Sequence, residues 1–338
     1  MTVPSNLILG IASTQLSNEE IALFSELKPL GLILFARNLE NPTQVTALTE
    51  KFRQVTQNER ALVLIDQEGG RVSRLPEKYW RIPPSPTVFA KLYAKDPEKA
   101  LRACLLNHIL IGHELKTLGI NVNCAPMIDI PQQNASTIVT ERAFGATPEQ
   151  VITLAKTVIE GLQTCGVEPV IKHAPGHGRA TADSHLELPY VDASLTELTD
   201  WDFIPFKALN DQSMLMTAHI NFSQIDPEFP GTLSQKVIQG IIRENLGFEG
   251  LIMTDDIDMH ALSGTVESKA QQAIAAGCDV VLQCSGEIEK MQALSKVAQK
   301  LSGASLARAE KAQALAHKQG DSIDCQAILS ELNQLLSK

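Results

Sequence analysis

Eight short apolar runs, each followed by a longer amphipathic stretch, divide the chain from end to end, and no other feature constrains its fold as tightly. The runs cover residues 7–12, 31–35, 61–66, 120–125, 167–172, 214–219, 250–255 and 279–283. Most carry Val, Ile and Leu at consecutive positions. Both faces of such a strand need cover, as in parallel strands packed between helices. Eight strand–helix units in series describe an α/β protein of the (β/α)8 barrel type. An open, doubly wound sheet is the competing arrangement. With no linker or repeat, residues 1–338 read as a single domain whose last part, from about Gly286, is helical.

Helix punctuation agrees with this division. Thr147-Pro148-Glu149-Gln150 reads as a cap, a proline at the first helical position and a capping-box glutamine. Val151, Ile152, Ala155, Val158, Ile159 and Leu162 follow at helical spacing, and Gly166 is the stop. Ser234 likewise precedes Val237, Ile238, Ile241 and Ile242, with Gly247 as the stop.

Composition excludes several classes of function. The formal charge is −10 and no Lys/Arg-rich run occurs, which argues against a nucleic-acid partner. No stretch approaches the roughly 20 apolar residues of a membrane helix. The apolar segment 6–12 is too short for a signal core, so a cytoplasmic location without a membrane partner is expected. Cys104, Cys124, Cys165, Cys278, Cys284 and Cys325 are scattered through apolar segments without a C-x-x-C pair, and read as reduced core residues.

Charged residues collect where the strands end. The third run leads into Asp66-Gln67-Glu68-Gly69-Gly70-Arg71, the fifth into Lys172-His173-Ala174-Pro175-Gly176-His177-Gly178, the sixth ends at His219, and the seventh leads into Asp255-Asp256. In a barrel these ends share one mouth, where active sites sit. Each buried charge there costs desolvation energy, so four charged ends are poorly explained as isolated structural ion pairs. Side chains alternate along a strand, so only one of Asp255 and Asp256 is expected in the mouth; Asp256 suits a helix cap. A carboxylate in the mouth can attack a sugar C1.

Beyond the fifth strand lies Arg179-Ala180-Thr181-Ala182-Asp183-Ser184-His185. Asp183 can orient the His185 imidazole and favour its protonated form, making a general acid/base that works near neutral pH. A D-x-H triplet alone is a weak signal that fits a solvated loop histidine better than a catalytic one; its place after K-H-A-P-G-H-G favours the catalytic reading. His173 and His177, with His219 or Asp255, suggest a metal site. Pro175 and Gly176 between the two histidines break the helical ligand spacing, so no metal is expected.

These motifs together resemble a known family. D-Q-E-G-G-R-V at 66–72, E-R-A-F-G at 141–145, K-H-A-P-G-H-G at 172–178, A-D-S-H at 182–185 and T-D-D at 254–256 are similar to those of bacterial β-N-acetylglucosaminidases of glycoside hydrolase family three, in the single-domain cytoplasmic type of peptidoglycan recycling. The resemblance implies a retaining enzyme without a cofactor. Asp255 would be the nucleophile, His185 the acid/base and Asp183 its dyad partner, while Asp66, Arg74, Arg142, Lys172 and His173 would hold the sugar. The implied partner is a small carbohydrate, GlcNAc β-linked to anhydro-N-acetylmuramic acid with or without peptide, and a monomer is expected. Ala174 and Ile257-Asp258-Met259 depart from the commoner family residues, away from the chemistry.

The small residues of 176–185 offer little apolar area, and predict a lid that brings the dyad to the glycosidic oxygen. A β-glucosidase, a GlcNAc phosphorylase and a non-catalytic muropeptide-binding barrel are the alternatives. The first usually needs a second domain for which this chain has no room, and the last is disfavoured by the presence of both Asp255 and His185.

Overall fold

In the computed structural model, which describes residues 3–132, 137–180 and 187–337, each of the eight apolar runs overlaps a parallel strand. They are β1 (Ser5–Leu9), β2 (Pro29–Leu34), β3 (Leu62–Ile65), β4 (Val122–Asn123), β5 in two pieces (Glu168–Pro169 and Ile171–Ala174), β6 (Met214–Thr217), β7 (Leu251–Asp256) and β8 (Val280–Gln283). Neighbours in sequence are neighbours in space, and β1 pairs with β8 through Leu7 and Val281.

The ring closes at β5. Its first piece pairs with β4 (Val122 with Glu168, Asn123 with Pro169), and its second with β6 (Ile171 with Leu215, Ala174 with Thr217). Only Val170 separates the pieces, so the two ends of the sheet are consecutive parts of one strand. The structure is a (β/α)8 barrel.

Alternation along the strands sorts two apolar layers. Leu7, Leu9, Leu32, Leu34, Val63, Ile65, Ile252 and Val281 pack outward against the helices. Ile8, Ile33, Leu64, Val122, Val170, Met216, Met253 and Leu282 fill the barrel. This two-sided burial is why the strands read as unbroken aliphatic runs. Helix Gly303–Ala316 adds Ala309, Ala312 and Ala316 to the interior cluster. Its Ser305 and Arg308 bind Asp279, at the start of β8, at 2.5 and 3.1 Å. That end of the barrel is therefore plugged, and the other end is left for a site.

The helix signals hold with two corrections. Thr147 caps helix Pro148–Thr164 as expected, but Gln150 does not close a capping box; its Nε2 donates to Ala90 O at 2.9 Å. The segment after Ser234 forms the π-type helix Lys236–Asn245 rather than an α-helix. Val237, Ile238, Ile241 and Ile242 are buried along it, and their spacing serves either helix. Five cysteines are free and buried; Cys325, opening helix Cys325–Leu336, is only half-buried, contrary to the core reading. No helix among the described residues is long and apolar enough to cross a membrane.

Candidate active site

Strand register decides which polar side chains meet. Leu62 and Leu64 of β3 point into the barrel, so Asp66 just beyond them does too. On β7, Leu251 and Met253 point inward and the same parity brings Asp255 in. On β5, Val170 points inward and Lys172 follows it. Asp66, Arg74, Arg142, Lys172, His173 and Asp255 all line one cavity of about 540 Å³ at the C-terminal ends of the strands. Six of the eight expected site residues are thus brought together. Asp183 and His185 lie outside the described residues.

The cavity floor is an ionic network. Lys172 Nζ sits 2.7 Å from Asp66 Oδ1 and 2.7 Å from Glu68 Oε1, and Arg142 grips Glu68 through Nε at 2.9 Å and Nη2 at 2.7 Å. Arg74 Nη2 lies 3.5 Å from Asp66 Oδ2. Burial works to raise the pKa of Asp66, but Lys172 and Arg74 outweigh it and hold the carboxyl below its ordinary range. Burial is likewise outweighed at Glu68 by Arg142 and Lys172, and at Lys172 by the two carboxylates, so all three stay charged. Phe35 is flanked by two guanidinium groups, Arg37 at 4.8 Å and Arg74 at 5.5 Å from the ring centre.

Asp255 is half-buried, and what burial it has favours its neutral form. His173, His219 and the backbone N–H of Asp256, 2.8 Å from its Oδ1, reverse that balance and keep it ionised. Asp256 behaves differently from expectation. It does not cap a helix: its Oδ1 accepts the N–H of Asp258 at 3.1 Å and of Cys284 at 3.0 Å, tying a turn to the end of β8. It also lines the cavity beside Asp255. Burial pushes its pKa up to about 6, and Asp258 and Asp255 add to the rise.

Two further expectations need correction. His219 does not line the cavity; its ring lies in the wall, Nδ1 2.7 Å from Thr232 Oγ1 and Nε2 2.9 Å from Asp256 O. It is therefore not placed as a third metal ligand, and His173 Nδ1 is engaged by Asp129. Residues 176–180, counted in the expected lid, are largely buried. Gly178 O accepts from Gln132 N at 2.9 Å and Arg179 Nε donates to Asp202 at 2.7 Å. The rest of the lid expectation, 181–185, falls outside the described residues.

Two side chains that bind the cavity residues were missed by sequence reasoning. Glu68 stood in a quoted motif without a role, although it shares the parity of Asp66. Asp129 stood in none; the available signal was one acid in the apolar stretch Met127-Ile128-Asp129-Ile130 just past β4. Its carboxylate faces the K-H-A-P-G-H-G segment.

Chemically, the cavity offers ionised oxygens and multiple N–H donors on one wall, suited to hydroxyl groups, and an ionised carboxylate beside them. The glycosyl hydrolase family 3 N terminal domain matches residues 8–317, from β1 to the end of the plugging helix region. The chain belongs to glycosyl hydrolase family 3.

Its relatives in the family agree. A β-hexosaminidase of Alkalilimnicola ehrlichii is 37% identical over 282 residues, covering 82% of this chain and 80% of that protein. A β-hexosaminidase of Haemophilus ducreyi is 36% identical, covering 87% of this chain and 86% of the relative. The crystal structure of NagZ from Neisseria gonorrhoeae in complex with N-trifluoroacetyl-D-glucosamine superposes with a TM-score of 0.87 at 28% identity, over 99% of both chains. Within the family the protein is a glycoside hydrolase of the β-hexosaminidase kind.

Proposed function

We propose that this family 3 hydrolase is a single-domain, cytoplasmic, retaining exo-β-N-acetylglucosaminidase that releases GlcNAc from muropeptides, with GlcNAc–anhydro-N-acetylmuramic acid as its substrate. The observation that carries the proposal is Asp255, held ionised at the mouth of the barrel opposite the Asp66–Lys172 pair. In the first step an Asp255 oxygen attacks the sugar C1, the glycosidic C–O bond breaks, and His185 gives its proton to the departing oxygen. In the second, His185 takes a proton from water, the water oxygen bonds C1, and the Asp255 ester bond breaks. Asp183 orients the imidazole. The assignment of Asp183 and His185 rests on the A-D-S-H motif and its place after K-H-A-P-G-H-G.

Asp66 accepts from sugar hydroxyls, and Lys172, Arg74 and His173 complete their hydrogen bonds. Arg142 has Nε and Nη2 on Glu68, which leaves Nη1 to donate to the sugar while the rest of the group holds Glu68 and, through it, Lys172. An imidazole acid/base avoids adding a further carboxylate to the mouth beside Asp255 and Asp256.

Product analysis with purified protein tests the reading. GlcNAc–anhydro-N-acetylmuramic acid should yield free GlcNAc at a rate that does not depend on phosphate, and p-nitrophenyl glucoside should be a far poorer substrate than its GlcNAc counterpart. A GlcNAc 1-phosphate product, or equal rates on the two nitrophenyl glycosides, contradicts it.

A further inference from the structure

A histidine that contacts a sugar must present a defined nitrogen, and at His173 the definition comes from Asp129. Asp129 lies beyond β4 and is 1% exposed. Its Oδ2 is 2.8 Å from His173 Nδ1, its Oδ1 accepts the backbone N–H of His177 at 2.6 Å, and the backbone N–H of His173 lies 3.3 and 3.2 Å from the two oxygens. Three donors from one short segment therefore converge on one carboxylate. Such a site accepts only; a proton on either oxygen would face a donor. Consistently, burial favours the neutral acid, but the hydrogen bond from the His173 ring and the backbone donor of His177 hold Asp129 below the ordinary carboxylate range.

A neutral imidazole has one N–H and one bare nitrogen, and the partner of one fixes the state of the other. Two of the three donors are backbone groups, and they suffice to staple the segment. The third bond, to the ring, does nothing for the backbone and acts on the side chain alone. His173 lines the cavity together with Asp66 and Asp255.

We propose that Asp129 is a positioning residue for the reaction: it keeps a proton on Nδ1 of His173 and so turns Nε2 to the cavity as the atom that meets a sugar hydroxyl. The sugar in this statement rests on the proposed function; the tautomer does not. The arrangement follows the carboxylate–imidazole pairs that orient metal-bound histidines, here directed at an organic ligand.

Two measurements test it. The first is ¹⁵N NMR of histidine-labelled wild-type protein, with His173 identified by the signals missing from His173→Gln. The expected spectrum has a protonated Nδ1 on His173. A bare Nδ1 with a protonated Nε2 overturns the proposal, and this result needs neither activity nor the Asp129 variant. The second is a kinetic cycle. Asp129→Asn should lower kcat/KM roughly 10–100-fold in the wild-type enzyme, the range for groups that orient a ligating histidine. In a His173→Gln background it should cost about twofold or less, because there is no longer an imidazole to orient. Equal losses in both backgrounds mean that Asp129 only staples the segment, and the proposal fails. An enzyme inactive on GlcNAc glycosides whose His173 still carries the Nδ1 proton refutes the proposed function and leaves the Asp129 assignment intact.

Discussion

Arg142 and Glu68 meet through two nearly parallel hydrogen bonds, 2.9 and 2.7 Å long, with 11% and 2% of their side chains exposed. The same carboxylate touches Lys172 at 2.7 Å, so it neutralises two buried cations at once. Glu68→Ala leaves Asp66 as the carboxylate in contact with Lys172 and Arg74, and takes from Arg142 its ion-pair partner. Breaking a buried pair by removing one partner costs about 3–5 kcal/mol. A loss of stability of that size, read as the product of the urea midpoint shift and an unchanged m-value, is expected, with a lower affinity for GlcNAc. A shift below about 1 kcal/mol would show that the cations relax to solvent.

Asp256 and its raised pKa make a prediction about pH. A carboxyl that titrates near 6 when folded and near 3.9 when unfolded holds its proton more tightly in the native state. Its contribution to stability therefore falls as pH rises from about 4 to about 6, and stays lost above that. Asp256→Asn keeps an oxygen for the N–H groups of Asp258 and Cys284 and removes the charge. The stability of the variant relative to wild type should rise with pH by on the order of 2 kcal/mol between pH 4 and 7. Denaturant titrations of both proteins at three pH values measure this; a gap that does not change with pH contradicts it.

What the sequence revealed and what it concealed divide along physical lines. Strands covered on both faces leave uninterrupted aliphatic runs, and this made all eight legible. The break in β5 at Val170 was invisible, because a change of pairing partner has no side-chain pattern. Asp66, Lys172 and Asp255 could be placed at the mouth because each closes an apolar run; alternation left Asp255 and Asp256 undecided, and the family motifs supplied the choice. Glu68 and Asp129 could not, since their partners are 74 and 44 residues away. His219 looked like a mouth residue by position, yet Thr232 and the Asp256 carbonyl hold its ring in the wall.

The role proposed for His185 is tested by leaving groups. Nitrophenolate departs without protonation, whereas a sugar oxygen does not. His185→Ala should therefore slow hydrolysis of a natural disaccharide by about two to four orders of magnitude, with a much smaller loss on nitrophenyl GlcNAc. Asp183→Ala should follow the same trend. Equal losses on the two substrates would remove His185 from the proton-transfer step.

Covalent trapping at Asp255 is the most direct test of the account. A retaining enzyme incubated with a 5-fluoro GlcNAc donor carrying a good leaving group accumulates a glycosyl ester, which peptide mass spectrometry locates. The adduct should sit on Asp255, and Asp255→Ala should lose several orders of magnitude in kcat while unfolding at an unchanged temperature. An adduct on Asp256 or on any other residue, or an inverted anomeric product with no adduct, would contradict it.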